Sequence, residues 1–171
     1  MYNETMKRIF LAIELPGKIK KSLKKKLKEI NSGNWREIDG NNLHITLIFF
    51  GNLTDEKSEK LITNLDQIEF NEFKIKLTQI IRKKDMLWAK IEKNDNLQSL
   101  YQRILEKIKF LKLKTPNFFN PHITLAKTKK RIKFPKIKIV ANFKVKNITL
   151  FESKLNREGA KYYLLKRFKL I

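Results

Sequence analysis

Leu43-His-Ile-Thr-Leu-Ile-Phe-Phe50 and Pro121-His-Ile-Thr-Leu-Ala-Lys127 carry the same tetrapeptide, begun by histidines 78 positions apart, His44 and His122. The chain has two histidines in all, and each opens one copy. Polar and apolar residues alternate over each copy, which is the period of a strand whose successive side chains point to opposite faces. His44 and Thr46 then share one face, as do His122 and Thr124, while Ile and Leu share the other. The apolar face suits a core and the polar face a cleft. Such a repeat predicts an internally duplicated fold, with an imidazole and a hydroxyl from each half facing a common groove.

The flanking sequence supports this reading. Arg8–Leu15 places Ile9, Leu11, Ile13 and Leu15 on one side of a strand, which Pro16 and Gly17 end. Lys18–Ile30 reads as a helix with Ile19, Leu23, Leu27 and Ile30 in one stripe and a lysine-rich remainder. A polar loop, Asn31–Asn42, leads to the first strand with the repeat, Leu43–Phe50, closed by Gly51. Thr54 fits a helix N-cap, with Asp55 and Glu56 well placed for the helix dipole and Leu61, Ile62, Leu65 and Ile68 forming the apolar side. Strands are expected around Phe73–Leu77 and Leu87–Ile91, with Lys83-Lys84-Asp85 as a turn. A helix follows over Asp95–Leu111. Further strands are expected at Pro121–Lys127, near Phe143–Phe151 and at Tyr162–Ile171, the last two as a hairpin around Asn156–Gly159. The order predicts a mixed α+β fold of two pseudo-symmetric lobes, with antiparallel sheets lining a central cleft and helices outside. No low-complexity linker divides the chain, so residues 1–171 are read as a single two-lobed domain.

Composition narrows the classes of function. Apolar residues make up 42% of the chain, enough for a packed core. No apolar run reaches the ~18 residues of a membrane span, and Met1–Lys7 lacks the architecture of a signal peptide, so a cytoplasmic protein is expected. The absence of cysteine excludes disulfides, thiolate metal ligands and a thiol nucleophile. A formal charge of +22 favours a polyanionic partner such as RNA, although a lysine-biased composition would produce the same number.

Two imidazoles and two hydroxyls around one point suit a tetrahedral phosphate. Each hydroxyl can donate to a non-bridging oxygen. A neutral and a protonated imidazole can serve as general base and general acid, because the unperturbed pKa of histidine is ~6.5. A lone histidine in a strand is more often structural; its duplication within a repeated tetrapeptide makes coincidence a poor explanation. A metal site is not expected, since no Asp or Glu stands three or four residues after either histidine.

These residues resemble the two-histidine phosphoesterase superfamily, marked by paired H-x-T-x motifs. Within it they look most like the RNA 2′,3′-cyclic phosphodiesterase family, also called 2′-5′ RNA ligases. Arg8-Ile-Phe-Leu-Ala-Ile-Glu-Leu-Pro16 resembles the opening strand of that family, and Asn42–Leu47 with Phe50-Gly51 its first motif. Leu87-Trp88 resembles a mid-chain strand and Phe119–Ala126 the second motif, while Glu152-Ser153, Gly159 and Tyr162 are similar to its closing hairpin. The resemblance implies cofactor-free hydrolysis of a terminal 2′,3′-cyclic phosphate on RNA to a 2′-phosphate, and a monomer is expected. It implies His44 as proton donor, His122 as proton acceptor, and Thr46 and Thr124 as substrate-binding residues. Ligation of 2′-phosphate and 5′-hydroxyl ends, 2′-5′ phosphodiester cleavage and non-catalytic RNA binding are the alternatives. Where family members often carry Arg after the second motif this chain has Lys127, which strand alternation from His122 puts on the apolar face. Trp88 and Phe49 are expected in core packing rather than base stacking.

Overall fold

A computed structural model describes residues 6–30, 33–128, 130, 133–157 and 159–171. The expected elements form in the expected order. Strand β1 (Lys7–Glu14) is followed by helix α1 (Gly17–Ile30), a two-residue strand β2 (Arg36–Glu37) and a 3₁₀ turn over Gly40–Asn42. The first repeat opens β3 (His44–Leu53), and α2 (Asp55–Leu65) follows. Thr54 caps α2 as expected, its hydroxyl accepting from the Lys57 N–H at 3.3 Å. Next come β4 (Phe73–Lys83), β5 (Met86–Ile91) and α3 (Asp95–Ile108), whose expected last turn is a 3₁₀ turn, Lys109–Leu111. The second repeat opens β6 (His122–Lys127), and β7 (Ile137–Val145), β8 (Asn147–Asn156) and β9 (Gly159–Lys169) complete the fold. Parts of the expected loop at Asn31–Asn42 and of the hairpin turn at Asn156–Gly159 lie outside the described residues.

Two antiparallel sheets result, ordered β3-β1-β8-β9 and β2-β6-β5-β4-β7. The expected strand near Phe143–Phe151 is in fact two. Val145 pairs with Phe73 in the second sheet and Asn147 with Lys169 in the first, with Lys146 alone between them. The strand-like run reads continuously because the chain changes sheets without Gly or Pro.

One continuous core joins the apolar faces of both sheets to the buried sides of the helices: Leu23 and Leu27 from α1, Leu61 and Leu65 from α2, Leu100 and Ile104 from α3. Two lysines of α1 brace the turn before β3. Lys24 bonds Glu37 at 2.7 Å and the Ile38 carbonyl at 3.3 Å, and Lys20 reaches the Asn41 carbonyl at 3.2 Å. Among the described residues no helix is long and apolar enough to cross a membrane.

Candidate active site

The repeats occupy corresponding places, one at the start of a strand in each sheet. In each copy Ile and Leu are buried, Ile45 and Leu47 in one and Ile123 and Leu125 in the other. His44, Thr46, His122 and Thr124 are half-buried and line a single cavity of about 190 Å³. Ile38, Asn42, Met86, Lys127 and Tyr162 complete its wall. All four residues singled out in the sequence are therefore brought together.

Lys127 also lines this cavity, contrary to the alternation expected from His122. The cause is a β-bulge, an extra residue opposite one partner. Trp88 pairs with Thr124 and Leu87 with Ala126, so Leu125 has no partner on β5. The bulge buries Leu125 and Ala126 in succession and returns Lys127 to the cleft side. The first repeat does the same. Ala12 pairs with Thr46 and Leu11 with Ile48, leaving Leu47 as the bulged residue. Phe49 then emerges, 39% exposed, with the Arg8 guanidinium 4.8 Å from its ring centroid, so it is not a core residue.

Each imidazole is fixed in the same way. Nδ1 of His44 lies 2.6 Å from the Asn42 carbonyl and Nδ1 of His122 lies 2.8 Å from that of Asn120. A carbonyl only accepts, so Nδ1 carries the hydrogen and Nε2 is the nitrogen left for chemistry. Nε2 of His44 lies 2.9 Å from the Thr46 hydroxyl. A neutral His44 accepts from that hydroxyl. A protonated one donates to it and frees the threonine hydrogen for another acceptor. The shared pattern, Asn two residues before each His, was present in the sequence as a longer repeat, Asn-x-His-Ile-Thr-Leu.

Aromatic rings hold the two histidines differently. Trp88, expected in the core, stacks on His122 with centroids 3.6 Å apart and planes 17° from parallel. Among the described residues its Nε1 is buried without a partner. Phe10 and Tyr162 meet His44 at 5.1 Å and 5.3 Å, the second edge-on. Burial pushes the Tyr162 phenol above its usual pKa, which keeps its hydrogen available to the cavity.

Burial also pushes both imidazoles below the usual histidine range, partly offset by the bonds to Asn42 and Asn120. His44 is held down further by the positive charges that His122 and Lys20 can carry. Glu14 pairs in register with His44, yet it is committed elsewhere. Arg167 holds it at 2.7 and 3.1 Å, the main cause of its lowered pKa, and the Thr149 hydroxyl donates to it at 3.1 Å. Among the described residues no three His, Asp or Glu side chains come together as a metal site would require.

The model of the 2′-5′ RNA ligase superfamily matches residues 19–157. An RNA 2′,3′-cyclic phosphodiesterase of Methanocaldococcus jannaschii is 30% identical, with 94% of this chain and 99% of that protein covered. One of Archaeoglobus fulgidus is 26% identical over 72% of this chain and 74% of its own length. Among solved structures, apo E. coli LigT matches with a TM-score of 0.87 at 24% identity, covering 98% of this chain and 99% of that one. TT0787 of Thermus thermophilus matches with a TM-score of 0.84 at 22% identity, covering 95% and 97%.

Proposed function

The chain belongs to the 2′-5′ RNA ligase superfamily, and from that premise we propose that it hydrolyses the terminal 2′,3′-cyclic phosphate of RNA to a 2′-phosphate. The observation that carries this reading is the pair of imidazoles with Nδ1 pinned to backbone and Nε2 left for one small cavity, each beside a threonine. The relatives named RNA 2′,3′-cyclic phosphodiesterase supply the substrate class.

In this mechanism Thr46, Thr124, Lys127 and the Tyr162 hydroxyl hold the non-bridging oxygens. Nε2 of His122 takes a proton from water as the water oxygen bonds to phosphorus. The bond from phosphorus to the 3′ oxygen breaks, and Nε2–H of His44 delivers its proton to that oxygen. The phosphate stays on the 2′ oxygen, and the proton count closes when the two histidines exchange protons through solvent. The distribution of roles between them, and the choice of oxygen, follow the family resemblance. The reaction is read as acid–base catalysis at the two imidazoles, whose Nε2 atoms serve one small cavity. We place the enzyme in the cytoplasm as a single-domain monomer.

A second groove, of about 720 Å³, shares Asn42, Lys127 and Tyr162 with the catalytic cavity. It favours a second use of the same site, in which a 5′-hydroxyl replaces water and a 2′-5′ linkage forms. The deciding experiment incubates the protein with a cyclic-phosphate oligonucleotide, with water alone or with a 5′-hydroxyl strand, and identifies the products by phosphorus NMR. His44→Ala and His122→Ala should each slow the reaction by ~10²–10⁴-fold while remaining folded. Near-wild-type rates in either variant refute the acid–base pair, and a 3′-phosphate product refutes the assigned oxygen.

A further inference from the structure

Helices α1 and α3 are each 14 residues long, and their first residues, Gly17 and Asp95, stand 78 positions apart, the interval that separates His44 from His122. The duplication therefore includes a helix as well as a strand, and residues 78 apart hold corresponding places on the two helices. Lys20 of α1 corresponds to Gln98 of α3. One copy carries an ammonium where the other carries a neutral amide.

Lys20 is tethered close to the first histidine. Its Nζ donates to the Asn41 carbonyl at 3.2 Å, next to the Asn42 carbonyl that lies 2.6 Å from Nδ1 of His44. The Asp39 carboxylate closes the same turn by accepting from the Asn41 N–H at 2.7 Å. Lys20 is half-buried, whereas Lys18, Lys21, Lys25 and Lys28 of α1 are exposed. Among the described residues no carboxylate forms an ion pair with it, since Glu14 is held by Arg167 and Glu37 by Lys24. Arg8 is turned to the ring of Phe49, and His122, Lys127 and the Tyr162 phenol complete the titratable groups around His44. After burial, the charges of His122 and Lys20 are what lower the His44 pKa.

The surroundings of His122 differ. Lys90, its register partner on β5, is exposed, as are Lys83, Lys93 and Asp95, and Glu92 is taken up by Lys76 at 2.9 Å. The lowered pKa of His122 has burial as its cause and no cation beside it. The face of Trp88, stacked at 3.6 Å, favours an imidazolium there.

We propose that Lys20 is a positioning residue of the reaction, an ammonium held beside the first histidine so that His44 releases its proton and His122 keeps the one it takes. The inference rests on the acid–base reading of the cavity. Hydrolysis sends one proton from Nε2 of His44 to the 3′ oxygen and one from water to Nε2 of His122. Together the two transfers carry a positive charge away from Lys20 and onto the face of Trp88. The duplicated site is thereby given a direction by a residue outside both repeats.

The test is a charge series at one position, Lys20→Arg, Lys20→Gln and Lys20→Glu, with folding checked by the urea midpoint. The chain has two histidines, so an NMR pH titration of the free protein reads each ring separately. The His44 pKa should stay in place in Lys20→Arg, rise in Lys20→Gln and rise further in Lys20→Glu, with His122 moving less. The pH of maximal kcat/KM should climb in the same order. In Lys20→Gln kcat should fall roughly 3–10-fold, because a weaker acid gives up its proton more slowly, and Lys20→Arg should restore it. A brace without an electrostatic part would lower the urea midpoint and leave this order unformed. An unmoved His44 in Lys20→Gln, or equal movement of both rings, overturns the proposal. Should Lys20→Glu fail to fold, the contrast of Lys20→Arg with Lys20→Gln decides. The expected order in the free protein, together with a silent cyclic-phosphate assay in the wild type, supports the placement of Lys20 and sinks the hydrolase reading alone. Normal turnover without the order does the reverse.

Discussion

Replacing Trp88 with leucine tests how the site holds a proton on His122. The indole lies flat against the imidazole at 3.6 Å, so an imidazolium formed there rests on the face of a π system. Such a contact contributes about 0.5–1 kcal/mol at an exposed site and about 2 when desolvated. His122 is half-buried, which points to about 1–2 kcal/mol, or roughly 0.7–1.5 pKa units at ~1.36 kcal/mol per unit. Leucine keeps an apolar cover over the ring, so the desolvation that already depresses His122 is largely retained. It also removes the unpartnered indole N–H, whose burial costs about 1–3 kcal/mol, and this offsets the lost packing. The variant should fold, and its His122 pKa should fall. A chain with two histidines gives two ring signals, so an NMR pH titration reads His122 directly, with His44 as internal control. In the proposed mechanism the same energy is lost as His122 takes up a proton in the transition state, so kcat should drop roughly 5–30-fold. An unchanged or raised His122 pKa in Trp88→Leu would refute the stacking argument.

Four further expectations concern the same cavity. Both imidazoles titrate below ~6.5 and one must be protonated while the other is neutral, so kcat/KM should peak on the acid side of that value; a peak above neutrality is the contrary result. In the unfolded chain these histidines gain protons that the fold resists, so stability should fall as pH drops from about 6.5 toward their folded values, measurable as a shift in urea midpoint that His44→Gln reduces. Lys127→Met should raise KM with a loss of ~10–100-fold in kcat/KM, from a charged hydrogen bond worth about 1.5–3 kcal/mol, and Lys127→Arg should restore most of it. Activity should be unchanged in excess EDTA; loss on chelation and recovery with a divalent ion would overturn the metal-independent mechanism.

The repeats themselves made both strands and the cleft legible, because alternation over four residues needs no tertiary information. Thr54 was legible for a similar reason: capping is a local bond within one turn. Alternation failed at the last residue of each repeat, Leu47 and Leu125, where a bulge brought Phe49 to the surface and Lys127 to the cleft. A bulge depends on the partner strand, and the partner is not written in the local sequence. Trp88 was expected in the core because an aromatic residue in a strand ordinarily packs inward; its neighbour His122 is 34 positions away. The exchange of sheets at Lys146 left no mark either, since both sides of the join are good strand sequence.

The hydrogen bonds that set the two tautomers end on main-chain oxygens, those of Asn42 and Asn120. In hydrolases whose histidine is oriented by an acidic side chain, one mutation of that side chain can leave the wrong nitrogen protonated. Here every residue offers the same carbonyl, so no exchange of side chains at positions 42 or 120 deletes the acceptor. The proton inventory of the site is thus protected by the backbone. Sequence drift around the motifs can reshape the cavity, through the Asn42 amide that donates to the Ala160 carbonyl, for example, without resetting which nitrogen does the chemistry. A tetrapeptide can then persist in diverged proteins with little else fixed beside it.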